Sequence, residues 1–217
     1  MVKGVIFDMD GLMFDTERLW TPLWAPVLAR EGLPAPTQAF VEGARGLAGE
    51  NMRRHIEKNY PGIDAQALLE KVWQEGEKTF AKGVPVKPGL IELLNYLAEI
   101  GMPRIVASSS PRAMIERNLQ NTDTARFFHD TVCGTDVKFS KPDPAIFLEA
   151  ARRLALDPRD CLVLEDSYNG VRAGHAAGCV TVMVPDLMPA NAEMATLYNA
   201  CCKDLREVKR LLAKGAL

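Results

Sequence analysis

The 217-residue sequence predicts an α/β fold: a parallel sheet with helices on both faces, interrupted near its start by an all-helical insert. Three observations predict it. A short apolar, β-prone run, Gly4-Val5-Ile6-Phe7, lies almost at the N-terminus, and an unbroken run of this kind suits a strand buried on both faces. From about Pro88 onward, apolar strands alternate with helical segments, the rhythm of parallel strands joined by crossovers. Between Asp15 and about Lys82 the spacing is helical throughout, and nothing reads as a strand. The division expected is a core of residues 1–15 and 84–217 and a helical unit of residues 16–83.

Within the insert, Leu19, Trp20, Leu23, Trp24, Val27 and Leu28 recur at three and four residues, and the pattern stops at Gly32. Pro22 and Pro26 predict a helix that starts late or kinks. Residues 51–60 form a second helix, and Asp64 caps a third that carries Leu68, Leu69, Val72, Trp73 and Phe80. The stretch Val84-Pro85-Val86-Lys87-Pro88-Gly89 has linker character, so the chain crossings at 14–17 and 83–88 are natural hinge points. Beyond them, Leu90 to Ala98 is a helix closed by Gly101. There follow a strand over 104–108, a helix after Pro111, a strand over 131–133 and a helix with Asp143 as N-cap and Pro144 as first residue. A strand over 161–164, a helix over 169–177, a strand over 180–184 and an amphipathic helix over 204–212 close the chain, with no internal repeat or low-complexity tract.

Composition narrows the function classes. Apolar content of 47% with 25% charged residues is ordinary for a soluble globular protein. A net charge of −2 leaves no footprint for nucleic acid or an anionic membrane, and Arg53-Arg54 and Arg152-Arg153 read as solvated helix faces. No apolar stretch is long enough to span a bilayer, and Met1-Val2-Lys3 leads directly into the first strand, so no secretory segment is expected. Five cysteines without metal-like spacing suggest reduced core thiols in a cytoplasmic protein. His55, His129 and His175 lie outside every motif and are not expected to be catalytic. A monomer acting on a small molecule is expected.

The first strand runs into Asp8 and Asp10, followed by Gly11. An unpaired carboxylate does not sit in an apolar interior, so a strand ending in Asp-x-Asp-Gly holds negative charge for a purpose, and a bound cation is the obvious one. The plain alternative is an Asp-Gly turn. In open parallel sheets the site lies outside the carboxyl ends of the strands, near the point where strand order reverses. The residues just past each strand are Asp8 and Asp10, then Ser108 with Ser109 and Ser110, then Lys141 ahead of Asp143-Pro144, then Glu165, Asp166 and Ser167. Carboxylates with no histidine or thiol partner suit Mg²⁺. A lysine and a hydroxyl beside that cation suit a phosphoryl group, and an aspartate there can carry a covalent phosphoryl intermediate.

These residues, Asp8-x-Asp10-Gly11, Ser108, Lys141-Pro142-Asp143-Pro144 and Glu165-Asp166-Ser167 with Gly170 following, resemble the four motifs of the haloacid dehalogenase superfamily, in its order. The resemblance covers the whole chain and implies a Rossmann-like core with a helical cap. Phe7-Asp8-Met9-Asp10-Gly11-Leu12 followed by Asp15-Thr16-Glu17 is similar to the branch holding β-phosphoglucomutase and sugar-phosphate or nucleotide phosphatases. It implies that Asp8 attacks phosphorus. Asp10 would protonate the departing oxygen and then deprotonate the attacking water. Asp8, the backbone carbonyl of Asp10, Asp166 and Glu165 would hold Mg²⁺. Ser108 and Lys141 would hold phosphoryl oxygens, with Ser109 beside them. Specificity would come from the cap, with the Arg45-Gly46 loop and Trp20 as substrate contacts and Trp24 packing the cap core.

The activity implied is hydrolysis of a small phosphomonoester, a sugar phosphate or a nucleotide-like compound. Dehalogenation is disfavoured because that branch needs neither Asp10 nor a metal, and phosphonate hydrolysis because no cap lysine is marked for it. A phosphorylation-sensing regulatory domain is the remoter alternative; it has no need of a cap or of Asp10. A β-phosphoglucomutase-type mutase is the nearer one. That branch carries a histidine where this chain has Trp20, an arginine where Gly49 aligns and a lysine where Pro111 stands. The three differences favour a phosphatase.

Overall fold

The computed structural model describes residues 2–81 and 83–217. Its six strands are β1 (Gly4–Phe7), β2 (Arg104–Ser108), β3 (Thr131–Cys133), β4 (Cys161–Glu165), β5 (Val180–Met183) and β6 (Ala200–Cys201). They form one sheet in the order β3-β2-β1-β4-β5-β6, and every pairing is parallel. All four residues of β1 are buried, as its unbroken apolar run requires of the central strand.

Among the described residues, ten α-helices surround and extend the sheet. The first five are α1 (Glu17–Trp20), α2 (Trp24–Arg30), α3 (Gln38–Ala44), α4 (Gly49–Asn59) and α5 (Ala65–Phe80). The others are α6 (Leu90–Glu99), α7 (Arg112–Asn121), α8 (Ala145–Arg153), α9 (Tyr168–Ala176) and α10 (Leu205–Ala213). Alternation along β1 assigns the two faces of the sheet. Val5 and Phe7 join the cluster built by Leu90, Leu94, Ile115 and Val208 from α6, α7 and α10. Ile6 points the other way, into the cluster of Ile146, Phe147, Ala150 and Ala173 from α8 and α9. Helices α1–α5 build a further cluster around Trp24, Leu28, Phe40, Ile56 and Leu68.

The two prolines of the first helical pattern act differently. Pro22 starts a 3₁₀ turn over Thr21–Leu23 that separates α1 from α2, whereas Pro26 falls in the first turn of α2, where its missing N–H breaks no helical bond. The sequence pattern did not disclose α3. It is short, with only Phe40 and Ala44 buried, and is started by the Thr37 side chain accepting from Phe40 N at 3.1 Å. Likewise β6 has two residues and one exposed side chain, too little for an alternation signal. The cap expected at Asp143 shifts by one: Pro144 is the N-cap of α8, and Asp143 accepts from Ala145 N at 2.9 Å. Helix α9 begins at Tyr168, with Ser167 as its N-cap. The helical region expected to reach about Lys82 ends at Phe80, and Lys82 itself lies outside the described residues.

Where the chain leaves and re-enters the sheet domain, its two linkers run side by side. Asp15 N donates to Pro85 O and Lys87 N to Met13 O, both at 2.9 Å. Asp186, in the loop after β5, ties both: it accepts from Arg18 at 2.8 Å and from Lys87 at 2.7 Å.

Four cysteines are buried and Cys201 is exposed. Arg153 departs from the solvated face expected of it. It is half-buried and pairs with Asp130, Asp136 and Glu149. No helix among the described residues is long and apolar enough to cross a membrane.

Candidate active site

Strand order reverses between β1 and β4, and the residues that end those strands meet there. The register sets Phe7 opposite Leu164, so Asp8 leaves β1 level with Glu165, and Asp8 N donates to Leu164 O at 3.0 Å. Lys141 enters from the segment before α8. Its Nζ donates to Asp8 Oδ1 and to Glu165 Oε1, each at 2.5 Å, and lies 4.8 Å from the centre of the Phe147 ring. Burial works against charge on Lys141, but Asp8 and Glu165 outweigh it and hold the ammonium above its ordinary range.

Glu165 has no exposed surface and both of its oxygens are engaged. Oε1 takes Lys141, while Oε2 accepts from Asp166 N, Ser167 N and Ser167 Oγ, each at 3.0 Å. Gly170, one turn into α9, is the reason this carboxylate fits: a Cβ there would stand 1.8 Å from Glu165 Cδ. Asp166 is placed by the turn at Gly11. That glycine has φ +81°, and a Cβ on it would lie 2.2 Å from Asp166 Oδ2. The Asp-Gly turn and the carboxylate site are thus one feature: the turn clears the space in which Asp166 sits.

Asp8, Glu165 and Asp166 each offer a carboxylate oxygen, all within 4.8 Å of one another. Burial pushes Asp8 well above the usual carboxylate range although Lys141 pulls it down, and burial followed by Glu165 and Asp8 pushes Asp166 up. Were all three buried carboxylates ionised, one ammonium would leave two negative charges uncompensated, which is costly without a counter-ion. Among the described residues, the Asp166 carboxylate receives no side-chain donor and Asp8 Oδ2 receives none. An oxygen-only donor set with this charge deficit fits a hard divalent cation such as Mg²⁺.

Asp10 stands apart from that cluster in its partners. Thr16 Oγ1 donates to its Oδ1 at 2.8 Å, while Ser108 Oγ at 3.2 Å and Ser110 Oγ at 2.8 Å donate to Oδ2. Ser108 Oγ also accepts from Ser110 N at 3.1 Å, so the serine cluster at the end of β2 fixes its own geometry while orienting Asp10. Thr16 and Ser110 flank the motifs, and the motif pattern alone assigns them no role. Their signal is local: each is a hydroxyl on a turn that brings it back to the end of a strand.

A cavity of about 160 Å³ opens over these groups, and helices α1–α5 with their connecting loops cover it. Asp8, Asp10, Ser108, Ser109, Lys141 and Asp166 line its floor. Trp20, Arg45 and Gly49 line it from the helical insert, and Pro111 from the segment after β2. Trp24 lines it too but is largely buried, edge-on to Phe40 at 5.0 Å. Trp73 and Glu17 were not singled out from sequence, and both face the cavity. In the sequence Trp73 reads as part of a helix's apolar side and Glu17 as motif context, since helical spacing alone cannot distinguish a core face from a cavity wall. Burial, then Asp10 and Asp186, raise Glu17 to about 7, with Arg45 pulling the other way. The histidines stay out of the cavity: His55 stacks on Phe40, and His129 and His175 bond backbone carbonyls.

Comparison with known proteins gives a consistent neighbourhood. The sequence model of the haloacid dehalogenase-like hydrolases matches residues 2–178. The chain is 36% identical over 191 residues to the probable pseudouridine-5'-phosphatase of Drosophila melanogaster, covering 85% of this chain and 82% of that one. It is 29% identical over 214 residues to hexitol phosphatase B of Escherichia coli O157:H7, covering 94% and 96%. Among solved structures, a hydrolase from Pseudomonas syringae superposes with a TM-score of 0.85 at 23% identity, over 99% of each chain, which bears on the fold.

Proposed function

This chain belongs to the haloacid dehalogenase-like hydrolases and is a phosphoric monoester hydrolase, and from that premise we propose that it is a Mg²⁺-dependent phosphatase of a small phosphomonoester, a sugar phosphate or a nucleotide-like compound, working through an aspartyl phosphate on Asp8. The observation that carries this reading is the division of labour between two aspartates two residues apart. Asp8 is held by a lysine in a carboxylate cluster, and Asp10 is oriented by three hydroxyls on the floor of the same cavity. Residues 1–15 and 84–217 act as the core and residues 16–83 as its cap.

Asp8 attacks phosphorus, and the phosphoryl group passes to its carboxylate as the bond to the leaving oxygen breaks. Asp10 gives that oxygen its proton, then takes one from the water that hydrolyses the aspartyl phosphate. Ser108 and Lys141 hold phosphoryl oxygens with Ser109 beside them, and Lys141 fixes Asp8 for attack. Asp8, Asp166 and the backbone carbonyl of Asp10 would hold Mg²⁺. Glu165, with both oxygens occupied, completes the site as the group that positions Lys141 and Asp166. When bound, Mg²⁺ neutralises phosphoryl charge as transfer proceeds.

A phosphomonoester panel with Mg²⁺, scored by kcat/KM from released phosphate, tests the reading. Steady release is expected, whereas a single turnover would indicate a sensing domain. Chelator is expected to abolish activity and Mg²⁺ to restore it, and Asp166→Ala should raise the Mg²⁺ requirement at least about tenfold. Full activity in metal-free buffer, or rescue by Zn²⁺ alone, contradicts this.

The mutase alternative is disfavoured by what lines the cavity. A mutase must grip a second phosphate while an intermediate turns round. Trp20, Gly49 and Pro111 all line the cavity and none offers a cation there, so Arg45 is the one cation the cap turns on it among the described residues, where the mutase branch places a histidine, an arginine and a lysine. With β-glucose 1-phosphate, a trace of the 1,6-bisphosphate and Mg²⁺, inorganic phosphate is expected to form faster than glucose 6-phosphate. The reverse order overturns the phosphatase reading in favour of the mutase.

A further inference from the structure

The wall opposite the carboxylates is unusually poor in polar groups for a site that receives a hydroxylated substrate. All three tryptophans of the chain, Trp20, Trp24 and Trp73, line the cavity. Trp20 and Trp73 are half-buried, packed on the cap cluster but keeping exposed surface. Trp20 is braced edge-on against Phe80 at 4.6 Å, and its ring sits over Gly76, where a Cβ would come within 2.4 Å of it. The indole there is held in a slot that only a glycine leaves open.

Indoles aside, the cap turns three polar side chains on the cavity among the described residues: Glu17, Thr21 and Arg45. The Thr21 hydroxyl already donates to the Glu17 backbone carbonyl at 3.2 Å. Glu17 and Arg45 sense each other's charge but form no ion pair within 4 Å among the described residues. The Arg45 Nε is buried without a partner, and its Nη1 makes only a long bond to Leu187 O at 3.5 Å. The cap therefore offers one unfilled cationic donor and two acceptors, the Glu17 carboxylate and the Thr21 oxygen, against a broad aromatic surface.

An open-chain polyol phosphate is a poor match for that surface, because each hydroxyl buried there without a partner carries a desolvation penalty. A flat ring matches better: its faces need only apolar and aromatic contact, and its polar atoms lie on one edge. We propose that the substrate is a nucleotide-like phosphomonoester whose leaving group carries a planar aromatic heterocycle, lying against Trp20 and Trp73 with its polar edge toward Arg45 and Glu17. This rests on the phosphatase reading and names the substrate class of the same site.

The test compares phosphate arms with and without a ring: uridine 5′-phosphate against ribose 5-phosphate, and flavin mononucleotide against ribitol 5-phosphate, each with Mg²⁺. At least one ring-bearing member should exceed its ring-free arm about tenfold or more in kcat/KM. Trp73→Leu should lower that ratio about tenfold, mainly through KM, and Arg45→Gln should lower it as well. If the ring-free arms are hydrolysed as well as both ring-bearing compounds or better, the ring site is wrong and the phosphatase stands. If none of the four releases phosphate, the phosphatase reading is decided by the wider phosphomonoester panel. Calorimetric titration of the Asp8→Asn protein with the same pairs then decides the ring site alone: tighter binding of the ring-bearing member upholds it, and equal binding overturns it.

Discussion

Asp8→Asn is expected to lower kcat by about 10³-fold or more while leaving the fold intact. Asn keeps the shape of the side chain and can still accept from Lys141, but its amide cannot displace an alcohol from phosphorus. Stability should not suffer. Lys141 retains Glu165 at 2.5 Å, and the charged form of Asp8 is already disfavoured by burial and by its carboxylate neighbours. Removing one negative charge from that cluster relieves repulsion on Asp166. The checks are single-turnover kinetics, a thermal melt, and mass spectrometry to exclude deamidation back to aspartate. A variant that kept a tenth of wild-type kcat would sink the covalent mechanism.

The core of the site was legible in the sequence because its residues sit at strand ends. A buried strand is a strong local signal, and the residue that follows it has a defined place in a parallel sheet. Asp8, Ser108, Glu165 and Asp166 could therefore be collected without knowing a contact, and the strand order now puts Asp8 beside Glu165. Gly11 and Gly170 were visible as motif letters. Their physical meaning, clearance for Asp166 and Glu165 respectively, needed coordinates.

The groups that escaped notice are those whose role depends on a fold-back. Thr16 reaches Asp10 because the chain turns after Gly11. Trp73 and Glu17 reach the cavity because α5 and α1 pack over the sheet's carboxyl edge. Asp186 links both crossings of the chain from a loop with no periodicity at all. Helix α3 escaped for a different reason: two buried residues in seven give no amphipathic stripe, and its stability comes from packing and a threonine cap.

Lys141→Met is expected to damage both stability and activity, and the two losses have one cause. Lys141 is the cation that Asp8 and Glu165 share, and all three are buried. Methionine retains much of the stem that packs on Phe147 but removes the charge. Glu165 Oε1 and Asp8 Oδ1 then lose their donor while remaining buried. Breaking a buried pair in this way costs about 3–5 kcal/mol, enough to lower Tm by roughly 10 °C in a chain of this size, yet less than a typical folding free energy.

The pH dependence carries a sign that generic destabilisation lacks. In the wild type, Lys141 pulls Asp8 down against burial. Without it the carboxyl of Asp8 rises further above its unfolded value, so the folded variant takes up a proton that the unfolded chain releases. Folding of the variant then gains stability as pH falls through that raised value. In chelator, the Tm deficit against wild type should be largest near pH 8 and shrink toward pH 5, and added Mg²⁺ should recover part of it at pH 8. Turnover should stay at least about 10³-fold down under all these conditions, because neither protons nor Mg²⁺ restore the group that fixes Asp8 for attack. A variant melting within 2 °C of wild type at pH 8 (well inside the shift expected from a lost buried pair), or one whose deficit widens in acid, would show that Lys141 is not what balances this cluster.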